Sequence, residues 1–297
     1  MTQSDLNEIL NRMLAELSGI SRASQNTIDA YTRDLNEFIS FCNDKEINLI
    51  DKITDKTIRY FVIRLSESGV AKSTISRKLS AIRRLLNFAL RNDLIEKNPI
   101  SRIPNPKIKR GLPETINVDS YSEIFSLVDI ENDFANANKI KSIFELLYGS
   151  ALRVSELCSL NVGDIDFHTK SIRVLGKGSK VRIVPMGSKS VEVLKVYISS
   201  INSFTNSQPL FMDSDNNRLS RHSIYRIVKH YLKDQKIDKK SPHILRHSAA
   251  THMLDNDADL MAVKEILGHE NLSTTQIYTH VSIERLKKSY KKAHPKS

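Results

Sequence analysis

Apolar positions recur every three or four residues through residues 1–92. The stripes are Leu6, Ile9, Leu10, Met13, Leu14 and Leu17; then Ile28, Tyr31, Leu35, Phe38 and Ile39; then Ile58, Phe61, Val62 and Leu65. A fourth runs from about Ser73 through Ile75, Leu79, Ile82, Leu85, Leu86 and Phe88 to Leu90. Each set falls on one face of a helix, so the pattern predicts helices packed stripe against stripe. The opposite face of the fourth carries Lys72, Arg77, Lys78, Arg83, Arg84 and Arg91.

The pattern stops between Asn98 and Pro113, where four prolines and a basic cluster (Lys107, Lys109, Arg110) exclude a continuous helix. We read residues 1–98 as an N-terminal helical domain, 99–113 as a stiff, basic linker and 114–297 as a second domain. In the second, helical spacing predicts helices over Ser120–Val128, Lys139–Tyr148 and Arg153–Leu160. Alternation then replaces it: Ser171–Leu175 and Lys180–Pro185 flank Gly176-Lys177-Gly178-Ser179, the signature of a β-hairpin. Helices resume over Lys189–Ser200, Ser220–Lys233, Pro242–Asp255 and Leu260–Leu267, and a short amphipathic one carries Ile283, Leu286 and Tyr290. The fold class is mainly α, with one small antiparallel sheet in the second domain.

Charge adds a partner class. The formal net charge is +11, and both halves contribute: residues 1–110 hold 19 basic against 13 acidic side chains, the remainder 26 against 21. A protein basic on both sides of its linker suits a polyanion held from two sides. On the fourth helix few acids are in sequence to neutralise the cations, so Lys72, Arg77, Lys78, Arg83 and Arg84, with Lys107, Lys109 and Arg110 of the linker, are expected to face DNA phosphates. Cys42 and Cys158 lie far apart within periodic apolar segments, and the expectation is two buried thiols rather than a disulfide or a metal site. Neither a basic, apolar leader nor an apolar run of about 18 residues occurs, so we expect a cytoplasmic protein away from membranes.

The candidate chemistry sits in an ordered set: Arg153, Lys177, His243, Arg246, His269 and Tyr278. Two guanidiniums, two imidazoles, an ammonium and a phenol suit attack on a phosphodiester, in which charge gathers on phosphorus oxygens and a proton must reach the departing oxygen. No carboxylate cluster accompanies them, so no metal ion or other cofactor is expected, and arginine would carry the charge. Each residue alone has an ordinary reading. Arg153 could be a surface residue of its helix paired with Glu156, Lys177 a turn lysine, His269 the residue after a helix cap, and Tyr278 an interface tyrosine. Their joint order makes the case, and His247 is expected in the core instead.

These motifs resemble the tyrosine recombinases and, among them, the bacterial Xer recombinases. The likeness rests on Ser150-Ala151-Leu152-Arg153-Val154-Ser155-Glu156-Leu157, Gly176-Lys177-Gly178-Ser179-Lys180, His243-Ile244-Leu245-Arg246-His247-Ser248, Leu267-Gly268-His269 and Thr274-Thr275-Gln276-Ile277-Tyr278-Thr279-His280. It implies a C-shaped two-domain DNA clamp, with a SAM-like core-binding domain followed by a catalytic domain. By that resemblance Arg153 and Arg246 bind the scissile phosphate, and Tyr278 is the nucleophile that forms a 3′-phosphotyrosyl bond without metal or ATP. Lys177 protonates the 5′-oxygen, with Lys180 its nearest competitor. His243 assists proton transfer at the nucleophile, His269 donates to a non-bridging oxygen, and Glu156 supports the site. Tyr231 and Tyr290 are the other phenols to weigh, although neither has the sequence setting of Tyr278.

The resemblance also implies a site of two inverted half-sites, a homotetramer or a heterotetramer with a paralogous recombinase, a C-terminal helix docked on a neighbouring subunit, control by a septal DNA translocase, and resolution of chromosome dimers at cell division. Alternatives are an integrase or transposase of a mobile element, a type IB topoisomerase, and a DNA-binding relative without catalysis.

Overall fold

A computed structural model of the chain describes residues 5–19, 23, 25–108, 114–131, 133–176, 180–201, 205–268 and 293. The chain divides into two compact units, Met1–Gly111 and Leu112–Ser297, each with its own hydrophobic core.

The first unit contains α1 (Leu6–Gly19), α2 (Gln25–Asn43), α3 (Asp55–Glu67) and α4 (Lys72–Arg91). The apolar stripes meet as their spacing requires, with Phe61 of α3 between Phe38 and Phe41 of α2 at 5.2 Å between ring centroids in both pairs. Thr54 caps α3, its hydroxyl accepting the Thr57 N–H at 3.2 Å. The proline-rich segment after α4 starts as part of this unit. Ile100 and Ile103 are buried in its core, and Arg83 donates to the Ile103 carbonyl and the Asn105 side chain. Proline forbids a continuous helix, but hydrogen-bonded turns over residues 99–102 still let the two isoleucines pack.

In the second unit α5 (Val118–Asp129) and α6 (Phe134–Phe144) lead into one π-helical turn, Glu145–Gly149, and then the short α7 (Val154–Ser159). A three-stranded antiparallel sheet follows: β1 (Ile165–Asp166), β2 (Ser171–Leu175) and β3 (Val181–Pro185), in that spatial order. The two-residue β1 is too short to leave a period and was not expected. In the β2–β3 register Ile172 faces Val184 and Val174 faces Arg182. Side chains alternate between faces, so Arg182 lies on the same face as the buried Ile172, Val174 and Val184. After the sheet come α8 (Ser188–Ser199), α9 (Arg221–Tyr231), α10 (Pro242–Asp255) and α11 (Leu260–Leu267). No helix among the described residues is long and apolar enough to cross a membrane.

Candidate strand-transfer site

Arg153 does not lie within a helix, as its spacing suggested, but is the residue that starts one. Its backbone is extended at the N-cap of α7. Glu156, one turn on, returns to accept the Arg153 N–H at 2.8 Å, the usual way a carboxylate closes a helix N-terminus. The same carboxylate, 3% exposed, accepts the Arg153 guanidinium at 2.8 Å, while the Arg153 side chain is 34% exposed, so the pair joins a buried acid to a half-buried arginine.

Two further guanidiniums meet Glu156. Arg182 holds both of its oxygens, at 2.7 and 2.9 Å, and the Arg246 guanidinium stands 3.8 Å away. Burial alone would raise the Glu156 carboxyl. The hydrogen bonds from Arg182 and from Arg153, with the Arg182 charge, outweigh it and hold the group below its ordinary value. Burial, with Arg153 beside it, pushes the Arg246 guanidinium down to about 10, still far above neutral pH, so Arg246 stays charged. One carboxylate among three guanidiniums leaves a surplus of positive charge in the interior, the condition that attracts a phosphate.

The three arginines also converge on the end of α11. Arg182 Nε donates to the Ile266 carbonyl at 3.3 Å, Arg246 to the Leu267 carbonyl and Arg153 to the Gly268 carbonyl at 2.9 Å. The last carbonyls of a helix lack intrahelical partners and carry its negative dipole end, so guanidiniums satisfy both needs. At the other end of α11 the Asp259 side chain accepts the Met261 and Ala262 N–H groups. Gly268 ends the helix in the left-handed region (φ 60°), and a Cβ there would come within 3.1 Å of the Arg182 guanidinium. Ala151, also left-handed at φ 50°, offers its carbonyl to Arg246.

His243 lies in the first turn of α10, behind Pro242 and one turn before Arg246. It is exposed, its ring 6.3 Å from that of Tyr225 on α9. His247 is exposed too, which corrects the expectation of a core histidine. The packed histidine of α10 is His252, whose Nδ1 meets the Tyr148 hydroxyl at 2.8 Å. Lys177, His269 and Tyr278, and also Lys109, Arg110 and Tyr290, lie outside the described residues. Lys180 is exposed, and its carbonyl accepts the Gly176 N–H at 2.8 Å. Tyr231, the other phenol weighed, has burial and its hydrogen bond to Glu131 raising it well above its ordinary value.

The basic face of α4 divides into exposed and neutralised cations. Lys72 and Arg77 are exposed and Arg84 is half-buried, whereas Lys78 is buried, its ammonium 2.7 Å from Glu37 and 3.3 Å from Asp34. Arg77 also pairs with the buried Asp34, Arg83 is tied to the segment after the helix, and Arg91 pairs with Glu16 at 2.9 Å. The acids that neutralise this face come from α1 and α2 and were invisible along α4 itself. Lys107 is exposed. Both thiols are free: Cys42 is buried, which pushes it up to about 12, and Cys158 is half-buried.

Two features escaped the sequence reading. Arg182 had a signal, a charge in phase with Val184 on a strand. The other is the exposed face of α9, where His222, Arg226 and Lys229 follow helical spacing opposite the buried Ile224, Val228 and Tyr231. Tyr225 sets that helix beside His243.

Residues 118–285 match the Phage integrase family, and residues 10–93 match the Phage integrase, N-terminal SAM-like domain. The chain is 37% identical to the tyrosine recombinase XerD of Staphylococcus epidermidis over 98% of this chain and 100% of that one. It is 40% identical to the tyrosine recombinase XerC of Pelobacter propionicus over 92% and 91%. Among solved structures, the XerH site-specific recombinase bound to a palindromic difH substrate shares the fold at a TM-score of 0.66, with 22% identity over 94% of this chain and 83% of that one. The Tn1549 transposon integrase in complex with transposon right end DNA shares it at 0.74, with 18% identity over 97% and 99%. The chain therefore belongs to the phage integrase family and is a site-specific tyrosine recombinase, an enzyme that cuts and rejoins DNA.

Proposed function

We propose that this recombinase is Xer-type: it acts at a duplex site of two inverted half-sites, assembles as a tetramer alone or with a paralogue, and resolves chromosome dimers inside the cell under a septal DNA translocase. The identity of 37–40% to XerD and XerC relatives over nearly the whole chain supports this over a mobile-element role. The likeness to the transposon integrase, at 18%, is one of fold.

The single observation that carries the chemistry is the meeting of Arg153 and Arg246 over one buried carboxylate. In the mechanism we propose, the two guanidiniums bind the non-bridging oxygens of the scissile phosphate and hold the charge that builds on them. The Tyr278 oxygen attacks phosphorus in line with the 5′-oxygen. A bond to the tyrosine forms, the bond to the 5′-oxygen breaks, and the 3′-phosphate stays on the protein. His243, one turn before Arg246, takes the phenolic proton, Lys177 gives a proton to the 5′-oxygen, and His269 donates to a non-bridging oxygen. The reverse attack by a 5′-hydroxyl of the partner duplex rejoins the strand, and two such exchanges pass through a Holliday junction. Lys72, Arg77 and Arg84 on α4, Lys107 beyond it and His222, Arg226 and Lys229 on α9 hold the flanking phosphates.

Nicked duplexes tiled across the host's replication terminus test this reading, because a nick lets the cut fragment diffuse away and traps the covalent intermediate. We expect an adduct at one sequence, formed equally in excess chelator. Adducts that appear only on mobile-element ends, or relaxation of supercoils without site preference, would overturn the chromosomal role.

A further inference from the structure

Arg182 occupies a position that strand geometry assigns to an apolar residue. It faces Val174 across the sheet and shares a face with Ile172 and Val184, all three fully buried. A guanidinium is costly there unless its donors are used. Three of its bonds are accounted for: Nη1 and Nη2 to the two oxygens of Glu156, and Nε to the Ile266 carbonyl at 3.3 Å. The two-pronged hold fixes the plane of the Glu156 carboxylate. That plane sets which direction remains for Arg153, at 2.8 Å, and for Arg246, at 3.8 Å. The same side chain packs against Gly268, whose left-handed backbone presents its carbonyl to Arg153.

We infer that Arg182 is a positioning residue of the strand-transfer site, acting through Glu156 and the end of α11 to aim Arg153 and Arg246 at the scissile phosphate. The inference rests on the phosphate-binding roles proposed above for those two arginines. Arg182 itself does not touch DNA in this account. With Nε, Nη1 and Nη2 each bonded inside the protein, its contribution is the orientation of groups that do.

The test compares the wild-type chain with Arg182→Met and Arg182→Lys in single-turnover cleavage of a nicked duplex that gives a wild-type adduct. Each is run on the ordinary scissile phosphate and on a methylphosphonate at that position. The methyl group removes the charge the arginines are aimed at. We expect duplex affinity within about threefold of wild type and cleavage of the phosphate slowed about 100-fold in Arg182→Met, the scale of a misplaced catalytic group. On methylphosphonate the gap between variant and wild type should narrow to under about tenfold, because there is less charge to position for. Arg182→Lys keeps a cation beside Glu156, so the fold is retained even if the methionine variant unfolds. A point ammonium cannot fix the carboxylate plane, so it should show the same pattern at about tenfold. Cleavage at the wild-type rate in both variants, or slowing by the same factor on both linkages, or a loss of cleavage that only follows a loss of binding, would overturn the positioning role while leaving the recombinase reading intact. Failure of the wild-type chain to form an adduct on any of the tiled duplexes would instead overturn the site reading, and this inference with it.

Discussion

Glu156 is the residue on which the charge of the site balances. Its carboxylate faces Arg153, Arg182 and Arg246, and those partners hold it below the ordinary carboxylate range despite burial. A group whose folded-state value is depressed stabilises the protein above its unfolded value and ceases to do so as pH falls through the folded one. Glu156→Gln should therefore lower stability by about 3 kcal/mol near neutral pH, since it leaves buried guanidiniums without their counter-charge. Urea unfolding of variant and wild type across the acid range should show the difference closing as the wild-type carboxylate protonates. A constant difference at every pH would contradict the ion-pair account. At this scale the sequence was partly legible. The spacing from Arg153 to Glu156 showed that the two would meet, but their burial depends on β3 and α11, far along the chain. Arg182 and His247 mark the same limit, because whether a polar side chain faces core or solvent is decided by the partner surface. His247 turns outward and His252 inward on one helix.

Elements were the most legible scale, since a stripe of buried leucines and isoleucines repeats often enough to read. Every helix expected within the described residues is present, and the two strands of the expected hairpin pair. What could not be read was β1, at two residues, and the use each polar face is put to. α4 illustrates the second point. Its cations look alike in sequence, yet Lys78 closes a buried pair with Asp34 and Glu37 while Lys72 is exposed. The two should separate on mutation. Lys78→Met should cost stability of about 3 kcal/mol, because it strands the buried Asp34 carboxylate beside Arg77 alone. Lys72→Ala should leave thermal unfolding unchanged and weaken duplex binding. Thermal melts and binding isotherms on the pair check this, and equal stability losses would show that α4 does not divide as described.

The molecule as a whole joins two basic units, each with a core of its own, and a net charge of +11. Binding driven by phosphate neutralisation must weaken steeply with salt. With six or more contacts the affinity should fall about 10³-fold or more between roughly 50 and 200 mM salt. Removing Lys72 or Lys107 should reduce the slope of log affinity against log salt by about one each, uniformly across DNA sequences. Composition announced the partner at this scale, and the ordered motifs announced the family. The proposed chemistry turns on one bond, from the Tyr278 oxygen to phosphorus. The complex trapped on a nicked duplex can be digested, protein and DNA alike, and the residue that carries the nucleotide located by mass spectrometry. We expect a 3′-phosphate on Tyr278 and no adduct in Tyr278→Phe, with duplex binding retained. A nucleotide on Tyr231 or Tyr290, or an adduct that persists in Tyr278→Phe, would contradict it.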